Sequence, residues 1–354
     1  MCKYNLIFTL DYEIHGNGDG QPLELMVEPT YRLMTLLEKY NQRVTIMADV
    51  AEILCFKRYA DDTGRDDYHV AEIEVQLRNA IKRGHDVQLH VHSSYFKARY
   101  KNGAFDQCIE EYNMAALPIE RIDEMVRQCV EYLETLLKPI KKDYKVWLFR
   151  AANWSMMPTE NLYRVLVRYG ITHDTSMYKG GCQGGNVCYD YREAYDNLFA
   201  YPASMTDINK RDEEGTLIEL PIYTEMRPFW DFVTPMRIFR MVRAKFHKHK
   251  KNDASAESYD VKDNSTPLNE KRLNRTNEKD YSKLTLKSFF RLNPLKMDFN
   301  QVNARGLRRM MTNVMKRAEN NENVDVVLIG HSKTFLPYNE KTLEPFLKWV
   351  SKNV

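Results

Sequence analysis

Two histidines one residue apart, His90 and His92, sit in the run DVQLHVHSS (86–94). Side chains alternate across a strand, so Gln88, His90 and His92 share one face while Val87, Leu89 and Val91 take the other. Imidazoles ending an otherwise apolar strand can build a metal site once carboxylates join them. Chemically active side chains end the other apolar runs as well. The first run stops at Asp11, with Glu13 just beyond, and the second at Asp49. A fourth ends in Arg150, a fifth in His173 and Asp174, a sixth carries Glu219 with Glu225 after it, and the last ends in His331. A lone acid or arginine at a strand end is commonly a cap or an ion-pair partner; seven strands delivering ionisable groups to one rim point to chemistry.

The elements that must position these groups follow from hydrophobic periodicity. Strands are expected near 4–11, 43–49, 86–92, 146–151, 171–176, 217–224 and 325–331. Helices fall between them, near 29–40, 70–83, 119–137, 158–169, 235–247 and 303–319, with a last one near 340–352. Pro29 and Pro158 suit first helical positions, and Gly84 and Gly170 suit helix stops. Seven βα units in series predict a parallel sheet with helical crossovers, and no glycine-rich phosphate loop directs it to a nucleotide-binding sheet. The expectation is an α/β protein with a distorted TIM-like (β/α)7 barrel, one domain over 1–354 with a polar insertion before the last βα unit. The insertion is read at 252–283, a stretch rich in Asn, Lys, Asp and Ser without periodicity. Residues 177–203 hold four of the 14 glycines and read as a long loop over the rim.

Composition narrows the class. With 43% hydrophobic and 29% charged residues the chain reads as soluble and globular, and a net charge of +3 gives no case for nucleic acid. The six cysteines are scattered without a CxxC pair, as in a reducing compartment. The N-terminal stretch MCKYNLIFTLDYE lacks the features of a secretory signal, and the expected location is cytoplasmic. The segment 235–251 (PMRIFRMVRAKFHKHKK) carries seven Lys or Arg and no acid. It reads either as a barrel helix with a basic face or as a peripheral contact with the inner membrane face.

Four motifs, in order, carry a resemblance. FTLDYE (8–13), GHDVQLHVHSS (84–94), FRAANWS (149–155) and IGHSKTF (329–335) together resemble the polysaccharide deacetylases of the NodB-homology family, carbohydrate esterase family four. The chain looks closest to the divergent branch associated with lipopolysaccharide and capsule biosynthesis. The chain departs from the common pattern at Tyr12, where the family has a second aspartate. It departs again at Ser94, where the family has a second histidine, and at Ala152-Asn153-Trp154 after the arginine.

The resemblance implies a metal-dependent hydrolase that removes an N-acetyl group from a sugar. A divalent ion, Zn²⁺ or alternatively Co²⁺ or Ni²⁺, would be held by His90 and His92 with Asp11 or Glu13. Glu13 is taken as the ligand and Asp11 as general base, kept ionised by Arg150. His331 is taken as general acid, with Asp174 orienting it. Trp154, Tyr178 and Trp230 are candidate walls for a sugar ring, and His15 a further rim residue. The implied partner is an N-acetylated sugar, as a nucleotide sugar or a lipid-linked oligosaccharide. Alternatives are a non-catalytic carbohydrate-binding relative, or a glycosidase or amidase on the same barrel, with Glu219 or Glu225 as the second carboxylate of a glycosidase.

Overall fold

The computed structural model describes residues 3–14, 20–101, 103–232 and 292–354. The chain divides into two compact units, residues 1–225 with 296–354, and residues 226–295. The expected rim residue His15, the basic helix within 235–251 and the polar insertion 252–283 all lie outside the described residues.

The larger unit is built on one eight-stranded sheet. Its strands in chain order are β1 (Lys3–Tyr12), β2 (Val44–Asp49), β3 (Asp86–Val91), β4 (Leu148–Ala151), β5 (His173–Asp174), β6 (Tyr201–Pro202), β7 (Ile218–Glu219) and β8 (Asn323–His331). The spatial order is β6-β7-β5-β4-β3-β2-β1-β8. Every pair is parallel except β6 with β7. The seven parallel strands are the seven expected; β6 is an added antiparallel edge. Single bridges at Ile222–Val327 and Asp298–Ile329 bring flanking segments against β8. The sheet thus curls into a distorted barrel, open where single bridges stand in for a ladder.

The crossover helices are α1 (Glu28–Glu38), α2 (Val50–Thr63), α3 (Val70–Lys82), α4 (Ile119–Leu137), α5 (Thr159–Arg168), α6 (Ala304–Arg317) and α7 (Pro337–Asn353). In α4 the residues Ile122, Met125, Val126, Cys129, Leu133 and Leu136 are buried, the three-and-four spacing of one apolar stripe. Each large side chain of that stripe contributes about 1.5–3 kcal/mol by leaving water. At the end of α3, Gly84 takes φ +79°, a left-handed conformation that lets the chain turn directly into β3. The two strands of DVQLHV and VTIMAD are buried on both faces, as a parallel sheet covered by helices requires.

Register decides what meets at the rim. Asp11 lies opposite His331 on the neighbouring strand, and His90 lies between Asp49 and Arg150. The expected strand at 217–224 is shorter than read, because Pro221 has no N–H to continue the ladder beyond Glu219. Helix α2 was not anticipated: VAEILCFKRYADDT follows β2 without a break. Thr224–Pro228 and Leu292–Lys296 form a separate two-stranded sheet. Among the described residues no helix is long and apolar enough to cross a membrane.

Candidate metal centre

Glu13, His90 and His92 converge: each offers a ligand atom within 4.8 Å of the others, and all three are buried. β1 delivers Glu13 one residue past its end, and β3 delivers His90 from within the strand and His92 one residue past its end. Glu13 Oε2 stands 3.4 Å from His90 Nε2 and 3.2 Å from His92 Nδ1. The two imidazoles are perpendicular, with ring centres 4.9 Å apart.

The surroundings fix how each ligand faces. His90 Nδ1 donates to the Arg150 carbonyl at 2.8 Å, which turns Nε2 toward Glu13 as the nitrogen that an ion would take in place of a proton. His92 presents this same Nδ1 to Asp49 Oδ2 at 2.8 Å, so its Nε2 is the nitrogen left to hold an ion, and its backbone N–H donates to Asp49 Oδ1 at 3.1 Å. Asp49 also caps α2 by accepting from the Glu52 N–H. One buried carboxylate therefore ends a strand, starts a helix and orients a histidine. Burial opposes charge on His90, but the Glu13 contact and the nearby Asp11 and Asp49 carboxylates outweigh it and push its pKa up to about 9. A donor set of two imidazoles and a carboxylate whose field favours a cation suits a divalent ion such as Zn²⁺. With three protein ligands, positions remain for water and substrate, as in catalytic sites.

Beside the triad lies a second constellation. Arg150 is fully buried and spends its guanidinium on Asp11 Oδ1 at 2.5 Å, Thr9 Oγ1 at 2.8 Å and the Thr175 carbonyl at 2.9 Å. Burial alone would raise the Asp11 pKa; Arg150 first, then His331 and His90, reverse this and hold it below the usual carboxylate value. The other Asp11 oxygen, Oδ2, faces His331 Nε2 at 3.4 Å. Burial depresses the His331 pKa below that of an ordinary imidazole, with Asp11 opposing.

Asp174 was expected to orient His331, and here the structure differs. Its Oδ1 accepts from Ser176 Oγ at 2.7 Å and its Oδ2 from the Ser176 N–H at 3.1 Å; none of its hydrogen bonds reaches His331. Strand register places it directly beside Glu219 instead. Both acids are fully buried, and burial first, then their mutual proximity for Glu219, raises the pKa of each. Each acid therefore holds its proton more readily than a free carboxyl does. Ser176 Oγ in turn accepts from the Ala151 N–H at 2.7 Å, so this pair braces the strand end that carries Arg150.

Among the candidate walls, the Trp154 ring lies 6.2 Å from His331 and 5.7 Å from Tyr178, both edge-on. Lys296 Nζ sits 3.4 Å above the Trp154 ring centre and 4.3 Å from that of Tyr178. Asn153 and Trp154 both hold left-handed backbone, φ 52° and 60°, the kind of strain that concentrates at working sites. Tyr191 Oη donates to the Trp154 carbonyl and accepts from the Met156 N–H, which anchors that turn. Trp230 belongs to the smaller unit and is exposed.

Sequence reasoning left two groups without a role. Asp49 was noted as a strand-end acid but given no function. Lys333, two residues past His331, places Nζ 2.6 Å from Glu13 Oε1. The signal for both was their position at the C-terminal rim; only the register names their partners.

No family model and no curated protein matches this sequence. Solved structures match by fold. A chain described as a "putative glycoside hydrolase/deacetylase" from Parabacteroides distasonis superposes with TM-score 0.52 at 12% identity, over 99% of this chain and 66% of that one. A "putative polysaccharide deacetylase" from Mycobacterium smegmatis gives TM-score 0.46 at 13% identity, over 99% of this chain and 85% of that one. At such identity the likeness to the Parabacteroides distasonis chain is one of fold alone, and the barrel is the fold that the motif resemblance implied.

Proposed function

We propose that this chain is a polysaccharide-deacetylase-type enzyme, a metal-dependent hydrolase that removes the N-acetyl group of a sugar. The observation that carries the reading is the Glu13–His90–His92 triad set beside an Asp11 clamped by Arg150 and faced by His331. Fold likeness to one structure described as a "putative glycoside hydrolase/deacetylase" and the four ordered motifs support it.

Bound at the triad, a divalent ion, Zn²⁺ by preference, supplies Lewis acidity for the amide carbonyl and the attacking water. The protein handles the proton. Asp11, anionic at neutral pH, accepts it from water at Oδ2, the oxygen that Arg150 leaves open. His331, neutral at rest because of its burial, takes that proton across the 3.4 Å gap and delivers it to the departing amine. Trp154, edge-on to His331, forms a wall for the sugar ring.

A glycosidase would need a second carboxylate facing Asp11 or Glu13 across the bond. Glu219 is fully buried beside Asp174, and Glu225 accepts from Tyr223 and Asn313. Deacetylation therefore fits these side chains better.

The substrate is read as an N-acetylated sugar of lipopolysaccharide or capsule assembly, presented in the cytoplasm as a nucleotide sugar or on a lipid carrier. The basic stretch 235–251 would hold such a carrier at the inner membrane face. Incubation of the Zn²⁺-loaded chain with N-acetylated nucleotide sugars and lipid-linked amino sugars tests this. Acetate should appear in step with free amine. Release of reducing sugar instead, or no acetate from any of them, contradicts the reading.

A further inference from the structure

The two oxygens of Glu13 have separate partners. Oε2 faces His90 and His92 at 3.4 and 3.2 Å, while Oε1 is taken by Lys333 Nζ at 2.6 Å. The lysine is brought there by the short turn after β8 (Ser332–Thr334), in which Ser332 Oγ also meets the Glu13 backbone at 3.4 Å. Its side chain is only 23% exposed. A carboxylate can chelate a cation with both oxygens or bind it with one. Here an ammonium already occupies the first.

We propose that Lys333 is a positioning residue that confines Glu13 to one-oxygen binding of the metal ion and, through its own charge, leaves that ion loosely held and electron-poor. The inference rests on the metal-site reading above. It makes two effects run in opposite directions. Removing the ammonium frees Oε1 to chelate and lifts repulsion from the ion, so metal binds more tightly. The same change enriches the ion with donor charge, so it activates an amide less well and turnover falls. A lysine that merely braced the turn would, when lost, loosen Glu13 and weaken the metal.

The test is Co²⁺ titration of the full chain, stripped by chelator, for wild type, Lys333→Met and Lys333→Arg, followed by visible absorption. Lys333→Met should bind Co²⁺ at least about tenfold more tightly, a modest part of the repulsion expected between an ammonium and a dication at this range. Its d–d bands should weaken as the coordination number rises. Lys333→Arg, which keeps the charge, should restore the wild-type affinity and spectrum. Equal or weaker binding in Lys333→Met, or an unchanged spectrum, overturns the proposal while leaving the metal site intact. Absence of Co²⁺ from the wild type instead removes the metal-site reading, and this inference with it.

Discussion

Arg150 reaches Asp11 across three strands' width of the barrel interior, Nη1 to Oδ1 at 2.5 Å, with neither residue more than 3% exposed. A buried ion pair of this kind stands only because its remaining hydrogen bonds are filled, here by Thr9 and the Thr175 carbonyl. It ties the proposed base to β4 and therefore to the whole rim.

Arg150→Met should destabilise the fold by about 3–5 kcal/mol, since it strands a buried carboxylate. The sign with pH follows from Asp11. Its folded pKa lies below the unfolded value, so its contribution is present above about pH 4 and is lost as pH falls through the folded value. Urea unfolding of wild type and variant at several pH values should show the gap largest near neutrality and shrinking in acid. A constant gap would mean that the pair is not ionic.

Asp49→Asn should cost about 10–100-fold in metal affinity, the usual scale for removing a carboxylate that orients a ligand histidine. Isothermal titration with Zn²⁺ measures it. The α2 cap survives in part, because asparagine also accepts from the Glu52 N–H. A loss of stability without a loss of affinity would assign Asp49 to the helix alone.

For Glu219 the linkage runs the other way. Its folded pKa is raised above the unfolded value, so the stability it contributes is full below about pH 4.3 and is lost as pH climbs toward the folded value. Glu219→Gln keeps the hydrogen-bonding shape without a proton to lose. It should gain on wild type by up to about 1.4 kcal/mol per pH unit across that window. Parallel urea midpoints from pH 5 to 9 would show that the Asp174–Glu219 pair holds no proton.

His331→Gln should keep metal and fold but lower turnover by about 10²–10⁴, the range for one acid–base group. In wild type, kcat/KM should fall as acid protonates His331 before it can accept from Asp11. Because burial depresses that pKa, the fall should begin below the ordinary imidazole value of about 6.5. The variant should lose this limb of the profile.

Most of the barrel was legible because a strand buried on both faces needs a continuous apolar run, as in VVLIG, and such runs end sharply at charged residues. The helix 119–137 was readable to the residue from its apolar periodicity. Helix α2 was not: its start is set by the Asp49 side chain, a residue that the pattern had already assigned to a strand. The same limit applies at the site. Residue types and spacing bring out His90, His92, Glu13, Asp11, Arg150 and His331, because they stand at the ends of four strands. Pairings across strands depend on register, which no local pattern encodes. So Asp174 was matched to His331 when register sets it beside Glu219, and the hold of Lys333 on Glu13 went unseen.

The central claim is that DVQLHVHSS is a metal-binding strand. Elemental analysis of the purified wild type, beside the His90→Ala/His92→Ala double variant, tests it most directly. The account predicts about one divalent ion per chain in the wild type and none in the variant, the stoichiometry of a single three-ligand catalytic site. A wild type that holds no ion even after Zn²⁺, Co²⁺ or Ni²⁺ is added, or a variant that holds as much, would contradict it.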